Sequence, residues 1–124
     1  MTYCVATKVQ EGLVFLSDSR TNAGIDQVST FRKTTLFQRE GECVVVLMSA
    51  GNLAITQSVQ EILRTAPEET SVLSAGNMFE AASRVGAAVR QVHARDDEVF
   101  TAMGIDFNCS FILGGQIKGE GCRL

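Results

Sequence analysis

Alternating apolar and polar residues at the start of the chain predict a β-hairpin. Strand-like stretches cover residues 2–9 and 13–17, with a short Gly-containing turn between them. β-Branched and aromatic residues return over 28–31 and 34–38. The run 43–48 is apolar throughout, so we expect this strand to be buried on both faces inside a layered structure.

The hydrophobic period changes after the corner Ser49-Ala50-Gly51. Apolar residues fall at helical spacing over 53–63 and advance by three or four over 78–92, which predicts two amphipathic helices. The first helix is expected to end near Pro67, the only proline. Each helix has one apolar side and therefore covers a sheet or another helix.

The second helix has recognisable signals at both predicted ends. Asn77 and Glu80 are placed as N-cap and capping-box partner. The charged stretch 93–98 is expected to end the helix. His93, the only histidine, would then lie at the C-terminal end, where the helix dipole favours a partly charged imidazole, so we interpret it as a cap and not as a catalytic residue.

The last part of the chain returns to β-structure. Residues 109–113 predict a strand, followed by Gly114-Gly115 and a turn at 118–121. The order of strands, two helices and strands predicts one α+β domain over residues 1–124. The chain stops where the second arm of a hairpin would begin, so we expect it to be the front part of a longer, C-terminally truncated domain.

Composition and charge limit the classes of partner that the chain is expected to bind. Among 124 residues, 11 Lys and Arg against 14 Asp and Glu give a net charge of −3, and 45% hydrophobic content is enough to build a core. Basic residues form no long block, so we expect neither a nucleic-acid partner nor a membrane. The N-terminus has no secretory pattern, and we expect a cytoplasmic protein.

The four cysteines have no spacing typical of a metal site or a redox motif. They are Cys4, Cys43, Cys109 and Cys122, and three of them lie in apolar strand-like runs. We interpret all four as buried reduced thiols, and Cys4 as a packing residue instead of an alternative nucleophile. No metal and no cofactor is expected.

Threonine at position 2 would become the first residue if Met1 is removed, which is plausible because threonine is small. An N-terminal threonine carries a hydroxyl that can attack a carbonyl and an α-amine, with a pKa near 8, that can accept the proton. Downstream lie Asp18, Arg20 and Lys33. Read locally, Asp18 caps a turn or pairs with Arg20, and Lys33 is a solvated lysine.

Three motifs in order change this local interpretation. They are MTYCVA at 1–6, SDSRTNAG at 17–24 and STFRK at 29–33, followed by the Ser-Ala-Gly corner at 49–51. With these motifs the chain resembles the proteasome β-subunit family of N-terminal nucleophile hydrolases, and within it the bacterial Anbu (ancestral β-subunit) class. The resemblance covers essentially the whole chain.

The resemblance implies a fold and a set of roles. The fold is a four-layer αββα sandwich, of which this chain supplies the N-terminal half. Thr2 would attack the substrate carbonyl, and Lys33 would lower the pKa of its hydroxyl and amine. Asp18, with structural support from Arg20, would hold the Lys33 ammonium. The backbone N–H of Gly51 would stabilise the oxyanion.

The resemblance also implies residues that flank a specificity pocket, and they fall at Thr21, Thr35, Ser49 and Leu53. For Thr35 and Leu53, ordinary strand and helix positions are an alternative reading. Mostly small side chains suggest a pocket not devoted to large charged groups. The family's remaining catalytic helpers, which hold the N-terminal amine, come from the second half of the fold.

Three functions remain open. The first is a threonine hydrolase of amide bonds in peptides or unfolded proteins, assembled from like subunits into a ring or an open helical homo-oligomer. The second is a noncatalytic ring or scaffold subunit with the same fold. The third is an N-terminal nucleophile amidase that acts on a small-molecule amide.

Overall fold

A computed structural model describes residues 1–22 and 28–124, without the side chains of 21–22 and 28–29. The last two positions of the motif at 17–24 therefore lie outside the described residues. The chain is a mixed α+β structure. Its elements are β1 (Cys4–Val9), β2 (Gly12–Ser17), β3 (Arg20–Asn22), β4 (Val28–Thr30), β5 (Thr34–Arg39), β6 (Cys43–Gly51), α1 (Leu53–Arg64), α2 (Met78–Ala102) and β7 (Cys109–Ile117).

The strands of the described residues form three antiparallel groups. β1 pairs with β2 from Cys4 opposite Ser17 to the turn, which confirms the predicted N-terminal hairpin. β3 pairs with β4. The largest sheet has the order β5-β6-β7, with β6 in the centre, and two short 3₁₀ turns connect α1 to α2. Among the described residues no helix is long and apolar enough to cross a membrane.

The core lies between this three-stranded sheet and the two helices. Alternate residues of β6, namely Cys43, Val45 and Leu47, are buried against the apolar sides of α1 and α2. The predicted burial of β6 on both faces is wrong at Val44, which is 40% exposed. Val44 lies in one cross-strand row with Gln38 and Gln116, both exposed, so this part of the sheet's second face is exposed to solvent.

Helix α2 is longer than the sequence pattern predicted. The charged stretch continues the helix, because His93 pairs with Asp97 one turn later at 3.3 Å. The helix ends at Ala102, ten residues after the end of the predicted apolar pattern at residue 92. Gly104 follows with a φ of +68°. The reading of His93 as a C-terminal cap is therefore wrong, and its ring packs edge-on against Phe107.

The N-terminus of α2 carries the predicted N-cap. The side chain of Asn77 accepts a hydrogen bond from the Glu80 N–H at 2.8 Å. The Glu80 carboxylate turns back to the N–H of Gly76, also at 2.8 Å, instead of the N–H of Asn77 that a capping box would use.

Strand β7 continues through Gly114 and Gly115, four residues beyond the predicted strand. A Cβ at Gly115 would lie 2.1 Å from the carbonyl oxygen of Val44, and one at Gly114 would lie 2.7 Å from the ring of Phe15. These glycines therefore permit close strand packing and do not mark the end of the strand.

All four cysteines are free thiols, but their burial differs from the prediction. Cys43 is buried, whereas Cys4, Cys109 and Cys122 are only partly buried. The difference has a positional reason, because Cys4 and Cys109 are the first residues of their strands and Cys122 follows the last one.

Candidate active site

The residues singled out in the sequence lie at the ends of strands, and the pairing brings these ends together. Thr2 comes just before β1 and Asp18 just after β2. Lys33 comes just before β5, and its carbonyl accepts a hydrogen bond from the N–H of Ser49 near the end of β6. Gly51 ends β6, and α1 begins two residues later. Thr2 and Asp18 therefore lie at one end of the β1–β2 hairpin, Lys33 and Gly51 lie at one end of the three-stranded sheet, and the contact between Lys33 and Asp18 joins the two ends.

Lys33 is the central charge of this site. Its side chain is 5% exposed, and its Nζ lies 2.8 Å from each carboxylate oxygen of Asp18 and 2.8 Å from the carbonyl oxygen of Arg20. The three acceptors meet the hydrogen-bonding capacity of an ammonium group. A buried charge needs such partners, because it has lost its hydration.

Asp18 is fixed by the main chain as well as by Lys33. The N–H of Tyr3 donates to Asp18 Oδ1 at 2.8 Å, and the N–H of Asp18 donates to the carbonyl of Tyr3 at 3.0 Å. The hydrogen bond from Lys33, followed by the one from Tyr3, lowers the pKa of the Asp18 carboxyl below its ordinary value of 3.8. The carboxylate is therefore ionised at neutral pH.

Thr2 and Lys33 line the same small cavity. Its volume is 30 Å³, which is enough for about one water molecule. The lining residues are Thr2, Phe31, Lys33, Ser49, Ala50, Gly51, Leu53 and Thr56. Thr2 is half-buried and its nitrogen is in a peptide bond to Met1, which is fully exposed.

Thr2 also lines a second, larger cavity. Its volume is 200 Å³, and its walls are mainly apolar. Cys4, Met48, Phe111 and Ile112 contribute to these walls. Thr2 is therefore shared by a small polar cavity that contains Lys33 and a larger apolar one.

Gly51 occupies a crowded corner between β6 and α1. Its φ is +109°, and an added Cβ would lie 2.6 Å from the carbonyl oxygen of Asn108. Glycine is therefore required here by both conformation and space. Asn52 follows as the N-cap of α1, and its Oδ1 accepts hydrogen bonds from the N–H groups of Ala54 and Ile55. The positive end of the α1 dipole thus lies beside the smaller cavity.

Solved structures with the same fold decide the family. An Anbu (ancestral β-subunit) from Yersinia bercovieri is 50% identical, with a TM-score of 0.85 over 99% of this chain and 50% of its own. An Anbu mutant from Hyphomicrobium sp. strain MC1 is 44% identical, with a TM-score of 0.85 over 97% of this chain and 49% of its own. A helical assembly of the Anbu complex from Pseudomonas aeruginosa is 44% identical, with a TM-score of 0.88 over 98% of this chain and 51% of its own.

The chain belongs to the Anbu family. Neither a protein-family model nor a curated protein matches it. The chain spans about half the length of the Anbu structures that it matches. The expected α+β fold, as the N-terminal half of a sandwich of the N-terminal nucleophile hydrolase type, is confirmed.

In this Anbu chain the residues predicted to flank a specificity pocket differ in their position relative to the smaller cavity. Ser49 and Leu53 both line the smaller cavity, with Ser49 buried and Leu53 partly exposed at its edge. Thr35 is buried opposite Leu47 on the helix-covered face of the sheet, and it is not among the described residues that line the cavity. The side chain of Thr21 lies outside the described residues, and its role stays a prediction.

Two contributions to the site were not predicted in their observed form. Arg20 acts on Lys33 through its main-chain carbonyl, which no side-chain pattern reveals. Gln60 on α1 is buried and donates to the hydroxyl of Ser49 at 3.1 Å. One signal in the sequence could have revealed Gln60. It is a polar residue between Val59 and Leu63, at a position of α1 where the helical period predicts burial.

Cys4 has an environment that suits packing better than reactivity. Its thiol lies 3.9 Å from the carbonyl oxygen of Ser49, in the wall of the larger cavity. Burial raises the pKa of the Cys4 thiol, an effect that the nearby Lys33 ammonium only partly offsets. The thiol form therefore dominates at neutral pH, and the thiolate is the reactive nucleophile.

Proposed function

We propose that this protein is a proteasome-type peptidase that hydrolyses amide bonds in peptides or unfolded proteins. Thr2 is the nucleophile once Met1 has been removed. The observation that carries the proposal is the buried Lys33 ammonium, held by Asp18 and by the carbonyl of Arg20, in the wall of the cavity that Thr2 also lines. A fixed positive charge next to a hydroxyl stabilises the alkoxide that develops during attack.

Removal of Met1 supplies the base. Met1 is fully exposed, so its removal needs no unfolding of the chain. The α-amine of Thr2 then accepts the hydroxyl proton, directly or through a water in the small cavity, while Oγ bonds to the substrate carbonyl carbon. One residue in this way provides both the nucleophile and the proton acceptor.

The rest of the reaction follows from the same groups. The tetrahedral oxyanion is stabilised by the N–H of Gly51 beside the N-terminus of α1. The intermediate collapses, the amine product leaves with the proton from the Thr2 ammonium, and an ester to Thr2 remains. Water attacks this ester, regenerates the hydroxyl and releases the acid product.

Specificity and the assembled state are part of the proposal. Ser49 and Leu53 border the small cavity, and we assign Thr21 to the pocket beyond it, whereas Thr35 faces the helices. We propose that residues 1–124 belong to one proteasome β-subunit-like domain, and that the groups holding the Thr2 amine come from the remainder of the Anbu fold. The helical Anbu assembly from Pseudomonas aeruginosa supports a homo-oligomer, which acts in the cytoplasm.

The test is covalent trapping of Thr2. A peptide vinyl sulfone accepts Oγ at the vinyl carbon β to the sulfone, and the proton is transferred to the carbon next to sulfur, so the adduct carries the whole mass of the probe. Intact mass spectrometry is expected to show a chain that begins at Thr2, and peptide mapping is expected to locate the adduct on this residue.

Two substitutions define the control. Thr2→Ala is expected to abolish the adduct, whereas Thr7→Ala, which changes an exposed threonine of β1, is expected to leave it unchanged. A retained Met1 together with an unlabelled Thr2 would contradict the proposal and favour a noncatalytic subunit.

A further inference from the structure

Gln60 is a polar side chain on the apolar side of α1. It is 4% exposed, and its neighbours on this side include Val59 and Leu63 in the core. Burial of an amide group is costly unless its hydrogen bonds are made, and an apolar residue would fill the same space without that cost. The hydrogen-bond partners of Gln60 therefore indicate why this position is glutamine and not an apolar residue.

The amide of Gln60 begins a chain of hydrogen bonds that ends at Lys33. Gln60 Nε2 donates to Ser49 Oγ at 3.1 Å, and Ser49 Oγ donates to the carbonyl oxygen of Lys33 at 3.5 Å. A hydroxyl has a single proton, and because Gln60 donates to the oxygen, this proton is directed to Lys33. Hydrogen bonds in such a chain polarise and strengthen one another.

The same serine holds Lys33 through its main chain. The N–H of Ser49 donates to the carbonyl oxygen of Lys33 at 2.9 Å, so both donors recorded for this oxygen among the described residues come from Ser49. Lys33 lies just before β5, whose paired residues begin with Thr34 opposite Met48. The main-chain hydrogen bond between Ser49 and Lys33 therefore extends the β5–β6 ladder by one pair beyond Thr34.

We propose that Gln60 is a positioning residue for Lys33 and acts through Ser49. Helix α1 thereby sets the backbone from which the Lys33 side chain reaches Asp18 and the carbonyl of Arg20. The catalytic part of this inference rests on the proposed function. The geometric part, that Gln60 holds Lys33 in place, stands on the hydrogen bonds alone.

The first readout is the Lys33 ammonium itself. The chain has three lysines, and Lys8 and Lys118 are exposed, so their ammonium protons exchange rapidly with water. In ¹⁵N-labelled protein, Lys33 is expected to give a resolved ammonium signal because its side chain is buried and its protons are held by three acceptors. Gln60→Leu is expected to broaden or abolish this signal, and Gln57→Leu, on the exposed side of α1, is expected to preserve it.

The second readout is the rate of Thr2 labelling by the vinyl sulfone over a range of pH. Displacement of a catalytic group by a fraction of an ångström to one ångström reduces a rate by about 10- to 100-fold, and we expect a loss of this size with a shifted pH profile in Gln60→Leu. Ser49→Ala removes the hydroxyl from the same chain and leaves every side chain of α1 in place. It is expected to give the same loss, and the double variant no further one.

The outcomes separate the two proposals. A Lys33 signal and a labelling rate that are both unchanged in Gln60→Leu and in Ser49→Ala would overturn the inference. If the wild-type protein is not labelled while Gln60→Leu still abolishes the Lys33 signal, the proposed function fails and the positioning of Lys33 by Gln60 stands. If Gln60→Leu does not fold, Ser49→Ala decides by the same two readouts.

Discussion

Strand β5 has a basic residue at each end, and the two are held in opposite ways. Lys33, just before the strand, is 5% exposed and lies in contact with Asp18 and a main-chain carbonyl. Arg39, the last residue of the strand, is 35% exposed and pairs with Glu42 and Glu68, both more than half exposed. The same strand thus carries a buried, fully coordinated charge at one end and a hydrated one at the other.

We interpret the difference as one between exposed surface charges and a buried charge that we propose acts in catalysis. Exposed ion pairs contribute little to stability, because water screens them and the side chains lose freedom. A buried ion pair is seldom more stabilising than apolar residues of the same volume, because both ions lose their hydration. Stability alone therefore gives a weak reason to bury Lys33, whereas a fixed charge beside Thr2 gives a strong one.

The glycines at the two ends of β6 give the largest expected difference in folding stability. Gly51→Ala at the site end is expected to destabilise the protein by about 3 kcal/mol or more, because the positive φ and the close Asn108 carbonyl both oppose a side chain. Gly41→Ala at the turn end has a positive φ but open space, and about 1–2 kcal/mol is expected. Urea denaturation measures both, and equal losses would show that the site end is not crowded.

Asp18→Asn is expected to cause a smaller loss of folding stability, and this loss depends on pH. The pKa of Asp18 is lower in the folded chain than its ordinary value of 3.8, so its carboxylate stabilises the fold above that value. This contribution is lost as the pH falls through the lowered pKa. The variant is therefore expected to be less stable than the wild type at pH 7, with a difference that shrinks towards pH 2.

Urea midpoints measured across this pH range check the expectation. Asp106→Asn changes an exposed aspartate and is expected to follow the wild-type curve. A constant difference between Asp18→Asn and the wild type at all pH values would contradict the ion pair with Lys33.

Arg39→Met is expected to have the smallest effect on folding stability. Its partners are exposed and become hydrated when the guanidinium is removed. Thermal unfolding is expected to show little change in midpoint, and Thr2 labelling none. A large loss of stability would mean that the turn end, like the site end, depends on its ion pairs.

Much of the scaffold could be predicted because local patterns determine it. The N-terminal hairpin follows from alternation and a turn, and α1 follows from helical spacing up to Arg64. The end of α2 was misplaced because charged residues can also stabilise the solvent side of a helix, as His93 and Asp97 do. The glycines of β7 were misinterpreted because their role is close packing, of Gly115 against Val44 in the neighbouring strand and of Gly114 against Phe15 in β2.

The site was predictable in part, by a different route. Thr2, Asp18 and Lys33 were singled out by resemblance, because spacing along the chain does not show that three strand ends meet. The role of the Arg20 carbonyl depends on main-chain geometry, and that of Gln60 depends on how α1 packs over Ser49. Such contacts exist only once the layers have assembled, and residue types alone do not reveal them.

The most direct test of the central claim compares Lys33→Met with Arg39→Met. Methionine keeps much of the length of each side chain, and Asp18, 34% exposed, can be hydrated when Lys33 is lost. The rate of vinyl sulfone labelling at Thr2 is expected to fall by about 100- to 1,000-fold in Lys33→Met and to stay at the wild-type level in Arg39→Met. Labelling of a folded Lys33→Met protein at the wild-type rate would contradict the claim that Lys33 is placed for chemistry.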